Sequence, residues 1–289
     1  MRLIKYFFLF LIIGFTSISS NAQPLLSGGF VQVKIQFDPS AQAIIDQMTT
    51  NGSTPSEARQ ILINQLVLDL KGLGNTGSAD IWSKLDLLQI YAAEDRIQAL
   101  TEWVNADGSL DATEFNSPSF TANSGYIVTQ TASIISNYIP SVNGVNYTQN
   151  SASFGMRATS LNARYWVGID ENPLRSWIRV DTDGSIDLSI NGNISSDISH
   201  SSFSDAFLTL NRPNSTSFEA YTNGVLNGTA TENSIGLNST YPFLIGGINR
   251  STPLRNVINN VKLFFTASYL NASETLQLHN SLDNYINSL

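Results

Sequence analysis

The chain has 289 residues, no cysteine and a net charge of -8 at pH 7, and only 13% of its residues are charged. The missing thiols exclude thiol catalysis, thiolate metal sites and disulfide scaffolds, so the fold rests on its core alone. The acidic balance repels phosphate backbones and argues against nucleic acid as a partner.

The chain begins with a short basic region at Arg2 and Lys5, an apolar run over residues 6–15, and a small polar stretch ending at Ala22. This order reads as a secretory signal peptide, 1–22, cleaved after Ala22. The apolar run is short for a membrane span, which needs about 20 such residues. Cleavage would leave 13 basic against 23 acidic residues, a net charge of -10. No cysteine follows Ala22, which excludes a lipoprotein anchor, and later apolar patches are broken by polar residues. The expectation is a secreted protein, extracellular or periplasmic. Sequons begin at Asn51, Asn146, Asn193, Asn214, Asn227, Asn238, Asn249 and Asn271. They are glycan sites in a eukaryotic secretory pathway. In a chain so rich in Asn, Ser and Thr they also arise by chance, and that reading is preferred here.

Residues 23–80 form the expected N-terminal helical segment. Asp38 caps a first helix with Pro39 at its first position, and Asn51-Gly52 ends it. Thr54 caps a second, with Pro55 at its first position and Glu57 closing a capping box; the helix runs to about Lys71, where Gly72 stops it. Ile61, Leu62, Ile63, Leu66, Val67, Leu68 and Leu70 cover most of its circumference. Such a helix is buried on several sides by its own chain, or docks a protein partner or second copy through residues 55–71. The glycines at 72, 74 and 77 fit G-x-G-x-x-G, but they follow a helix rather than a strand, so they read as a helix stop and a loop.

From Leu85 the period changes. A strand fits residues 85–91 and a short helix residues 94–104. Beyond Ser109 the pattern is strands and turns. Residues 175–181 and 185–190 alternate, with Asp183-Gly184 as the hairpin turn between them. Asn191-Gly192, Asn223-Gly224 and Asn227-Gly228 are further turn signals, and residues 206–210, 217–222 and 261–265 are further strands. A helix capped at Asn271 closes the chain. The expected architecture is a mainly β, antiparallel jelly-roll sandwich over residues 81–289.

Several stretches carry a resemblance. Residues 218–228 (FEAYTNGVLNG), 243–247 (FLIGG), 261–265 (VKLFF) and the closing helix at 270–274 (LNASE) resemble the laminin-G-like and concanavalin A-like lectin superfamily. Residues 81–92 and 116–126 look like the head of such domains in phage tail-associated and secreted bacterial proteins. The resemblance spans residues 81–289. It implies a jelly-roll fold and binding, often of sugars and sometimes with calcium.

The residues themselves offer little chemistry. Retaining glycosidases need two carboxylates about 5 to 5.5 Å apart. The Glu-x-Asp-x-x-Glu strand of laminarinase-like relatives does not occur here, and Glu94-Asp95, Asp111 and Glu114 fall in expected helix or loop. The two histidines, His200 and His279, lack metal-ligand spacing. Asp181, Asp183 and Asp187 surround a hairpin turn and offer oxygens to calcium, although a hairpin needs no metal. No other cofactor is expected. If Ser176, Ile178 and Val180 face the core, then Arg175, Trp177 and Arg179 lie on the opposite face, where Trp177 would stack on a sugar; Tyr165, Trp166 and Tyr221 are further aromatic candidates. The alternative is that this face packs on another layer. The functional expectation is non-catalytic recognition of a carbohydrate or cell-surface ligand. A structural or assembly protein and a divergent glycoside hydrolase are the alternatives.

Overall fold

Helix starts follow the available caps. The computed structural model describes residues 36–161, 164–180, 185–193, 196–199, 205–255 and 258–289. The expected signal peptide lies outside the described residues. Helix α1 (Pro39–Thr50) starts as expected: the Asp38 carboxylate accepts from Ser40 N at 2.9 Å, and Asn51 is the C-cap. Helix α2 (Glu57–Leu70) differs. Its cap is Ser56, whose hydroxyl accepts from Arg59 N at 3.2 Å, rather than Thr54. Glu94 decides this by accepting from the amide and hydroxyl of Ser56, which fixes the entry to the helix from outside the segment. Gly72 follows the C-cap Lys71 with φ +71°, a left-handed conformation that suits glycine.

The remaining elements follow in chain order: β1 (Leu85–Ile90), α3 (Arg96–Leu100), β2 (Thr113–Phe115), β3 (Ser119–Thr121), β4 (Gly125–Val128), β5 (Ser133–Ile135) and α4 (Pro140–Asn143). Then come β6 (Ala152–Leu161), β7 (Arg164–Glu171), β8 (Leu174–Val180), β9 (Ser185–Gly192), β10 (Ser196–Ser199), β11 (Ala206–Arg212), β12 (Ser217–Thr222) and β13 (Val225–Thr231). The last are β14 (Leu244–Ile245), β15 (Gly247–Ile248), β16 (Leu254–Arg255), β17 (Ile258–Ala267) and α5 (Ala272–Asn287). α5 carries a full capping box: Asn271 accepts from Glu274 N, and Glu274 accepts from Asn271 N.

The strands build an antiparallel jelly-roll sandwich. One sheet runs β13-β12-β11-β6-β17-β4-β3, with β1 also paired to β17; the other runs β10-β9-β8-β7-β14-β5-β2. Their facing sides share one core that includes Phe154, Met156, Ile169, Ile178, Leu188, Leu210, Phe218 and Phe243. Alternation drives this: Ile186, Leu188 and Ile190 fall on one face of β9 and are buried. The first sheet is apolar on its other face too. There Leu88, Phe207, Leu263 and Phe265 pack with Ile44, Ile63, Leu66, Val67, Leu278 and Leu282 of α1, α2 and α5. The apolar circumference of α2 is therefore mostly consumed within its own chain, although Ile61 is 48% exposed.

Turn signals divide. Asn223 and Gly224 both have positive φ (50° and 76°) and join β12 to β13, as a type I′ hairpin requires. Asn191-Gly192 and Asn227-Gly228 are not turns. Asn191 (φ 57°) sits at a bulge within β9 and is fully buried; Asn227 is the unpaired residue of a bulge in β13. Asp183-Gly184 lies outside the described residues.

Candidate functional site

The β7–β8 region decides where the expected site residues sit. Ser176 and Ile178 pair with Ile190 and Leu188, while Trp177 pairs with Gly168 and Ser189 on the opposite face, as alternation predicts. Trp177 is nonetheless only 5% exposed. It lies over Gly168, where an added Cβ would come within 2.5 Å of Trp177 Cβ, and the Arg175 guanidinium sits 4.9 Å from its ring centre. The face a sugar would stack on is thus largely covered.

Arg179 donates to Asp187 Oδ2 at 3.0 Å, and Asp187 is buried. Asp181, Asp183 and His200 lie outside the described residues. Tyr165 stands on β7 opposite Arg179 in the register. Trp166 belongs to the core, and Tyr221 is buried with its hydroxyl donating to Glu219 at 2.7 Å. Burial and Glu219 both push the Tyr221 phenol upward. Of the aromatic candidates whose side chains are described, Trp166, Trp177 and Tyr221 are all buried.

The acidic neighbours of the helical region have structural duties. Asp95 caps α3, accepting from Ile97 N and Gln98 N. Asp111 accepts from Glu102 N at 2.8 Å, and Glu114 pairs with Arg96 at 2.6 Å. His279 stacks on Phe207 with centroids 6.1 Å apart, and burial lowers its pKa. Among the described residues no three His, Asp or Glu side chains converge as a metal site.

A different place is open. A cleft of about 490 Å³ is lined by Asp170, Glu171, Asn172, Thr240, Tyr241, Arg250, Ser251 and Thr252. Three segments build it. The first is the β7–β8 turn, which contains the cis Asn172-Pro173 peptide. The second is the approach to β14. Glu171 holds it by accepting from the backbone N–H groups of Ser239, Thr240 and Tyr241 at 3.0, 2.7 and 3.0 Å. The third is the turn after β15, tied to β7 by Asp170 N to Asn249 O (2.9 Å) and Asn249 N to Gly168 O (3.0 Å). Asp170 lies between two guanidiniums, 3.6 Å from Arg175 and 3.8 Å from Arg250, both beyond hydrogen-bond length. Arg250 Nε donates to Thr252 O at 3.1 Å. The lining therefore offers one aromatic ring, hydroxyls and an amide, and a guanidinium that is not spent on Asp170.

Sequence reasoning missed this cleft. Its residues come from three stretches that only the sheet order brings together. The local signals were the Asn172-Pro173 pair and the polar run 249–252 ahead of Pro253.

No protein-family model matches the chain, and no curated protein matches it. Solved structures do. A mutant of Trypanosoma rangeli sialidase displaying trans-sialidase activity superposes with a TM-score of 0.51 at 12% identity, over 85% of this chain and 38% of that one. Trypanosoma rangeli sialidase with 2,3-difluorosialic acid gives 0.50 at 14% identity, over 72% of this chain and 34% of that one. A botulinum neurotoxin type C structure, from work on its dependence on two ganglioside molecules for cell entry, gives 0.49 at 13% identity, over 68% and 51%. The likeness to the two sialidase structures shows the fold alone. The chain spans little more than a third of the sialidase it matches.

Proposed function

We propose that the protein binds a carbohydrate or glycosylated surface through the cleft at the end of β7, outside the cell, without acting on it chemically. The observation that carries this reading is the lining of the cleft. A sugar presents hydroxyls that both donate and accept, and a weakly apolar ring face. Tyr241 offers a ring, Asn172, Thr240, Ser251 and Thr252 offer neutral polar groups, and Arg250 offers donors. Of the two carboxylates at the cleft, Glu171 is engaged by three amides, and Asp170 sits in the field of two cations, 3.6 Å from Arg175 and 3.8 Å from Arg250. That favours recognition over the paired acid and nucleophile of a glycosidase. A β-sandwich shared with part of a sialidase supports a fold suited to this role. The leading basic and apolar segment supports export. Calcium at Asp181, Asp183 and Asp187 remains a separate proposal, read by chelation.

The test is a glycan array on the purified protein, with calcium and with chelator, repeated for Tyr241→Ala and Arg250→Ala. A defined hit that falls at least tenfold in both variants, with melting unchanged, supports the cleft. A blank array, or a hit indifferent to both substitutions, overturns it. Loss on chelation alone assigns calcium to the interaction.

A further inference from the structure

The two sheets end very differently. β3 and β2, at one end of each sheet, have three residues each. β3 follows Pro118, and β2 carries Glu114. β10, at the far end of the second sheet, has four residues and contains Asp197. Short length, proline and charge are the usual means of keeping an edge from pairing with another chain. β13 ends the first sheet with seven residues, Val225–Thr231, and contains neither proline nor charge. It carries a bulge at Asn227, and Ile198 of β10 lies against Gly228 on its inner face, where an added Cβ would come within 3.2 Å. Half of its backbone donors and acceptors point away from β12, as in any edge strand. Among the described residues none of these outward groups has a backbone hydrogen-bond partner. Apolar side chains gather at one end: Val225 is 64% exposed, Leu226 49%, and Leu276 of α5 44%. Gly224 brings the hairpin against α5, since an added Cβ there would meet Leu276 Cδ1 at 2.9 Å.

We propose that β13 is a pairing edge for a second copy of this chain, the two β13 strands running antiparallel about a two-fold axis so that the eight-stranded sheets join. A two-fold pair is made of the same surface twice, so an edge must tolerate itself. β13 does: in a net-acidic protein it is a neutral strip, and self-pairing sets no like charges opposite one another. In the antiparallel pair Val225 and Leu226 of one copy lie toward Ala230 and Thr231 of the other, which covers the exposed apolar end. An edge of seven residues buries less than the about 1,200 Å² of a standard interface, so the dimer is weak and concentration-dependent. This inference is independent of the cleft, which lies on the other sheet.

Sedimentation velocity on the purified protein between about 1 and about 200 µM tests it, the expected dissociation constant lying within that range. Thr229, exposed on the strand, is changed to Lys in one variant and to Asp in another. The wild type is expected to shift from monomer to dimer across the range. Each variant should stay monomeric, because the two-fold axis then passes through Gly228 and the two like charges at 229 stand diagonally across it, about 7 to 8 Å apart, and an equimolar mixture of the two should dimerise again. Melting curves check that both variants fold. A wild type that remains monomeric at the highest concentration overturns the pairing, as does a dimer that survives in both variants. Failure of the mixture to recover, with both variants folded, also overturns it.

Discussion

Arg212 and Glu232 form an ion pair at 3.1 Å in which neither side chain has any exposure. Arg212 closes β11; its Nε donates to Ile190 O of β9 at 2.6 Å and its Nη1 to Glu232 O at 2.9 Å, with longer contacts at 3.4 Å to Asn214 O and Ser217 O. Glu232 also accepts from Ser189 at 2.9 Å. One guanidinium therefore stitches the two sheets and the exit from β13 together. Arg212→Met keeps most of the side-chain volume but takes the Arg212 counter-charge from the buried Glu232 carboxylate, and removes the hydrogen bonds that Arg212 donates to Ile190 O and Glu232 O. Breaking a buried pair from one side costs about 3 to 5 kcal/mol. For a domain of this size, at about 2 °C per kcal/mol, that is a fall in melting temperature of about 6 to 10 °C. Urea unfolding gives the loss directly. The double variant Arg212→Met/Glu232→Leu removes the buried carboxylate as well and should be more stable than Arg212→Met alone, giving a coupling of about 2 kcal/mol. A loss under about 1 kcal/mol in Arg212→Met, or simple additivity in the double variant, refutes the assignment.

Glu102 is 1% exposed. Burial pushes its carboxyl up to about 7, against the pull of N–H groups from Val104, Asn105, Leu88 and Ala106. The folded state then holds a proton that the unfolded chain has released. Its contribution to stability is present in full below about pH 4.5 and is lost as pH rises through 7, by up to about 3 kcal/mol. Comparing urea midpoints of wild type and Glu102→Gln at pH 5 and pH 8 checks this: the gap between them should narrow at the higher pH, and an unchanged gap counts against it. Asp205 behaves oppositely. Burial alone would raise its pKa, but hydrogen bonds from Arg157 and Lys262 outweigh that and lower it. Its stabilising effect is present above the ordinary carboxylate range and fades as pH falls through the lowered value. Arg157→Met should flatten that acid limb in an acid titration of stability. Trp177→Ala should cost about 3 to 5 kcal/mol through the cavity it leaves, while glycan binding by the folded variant is retained, because Trp177 packs over Gly168 rather than lining the cleft. Loss of binding at unchanged stability would return Trp177 to the site.

Signals were legible in the sequence where the physics is local. Asp38 and Asn271 cap helices through their own carboxylate and amide, and Asn223-Gly224 turns because both residues adopt left-handed backbone. The same dipeptide misleads at Asn191-Gly192 and Asn227-Gly228, because a left-handed or unpaired residue also serves a bulge, and only the neighbouring strand distinguishes the two. Thr54 lost the cap of α2 to Ser56 for a similar reason: Glu94, 38 residues later, binds Ser56. Alternation correctly placed Trp177 away from the core, but alternation reports a face and not what covers it. Gly168 and Arg175 cover it here, and the open polar surface forms instead where β7 ends and the turns at residues 172, 240 and 251 meet. Such a site follows from strand order, because Asp170 and Arg250 become neighbours only once residue 249 pairs beside β7. In this sandwich the strands carry the core on alternate residues, and the capacity to bind falls to the loops that their order gathers at one end.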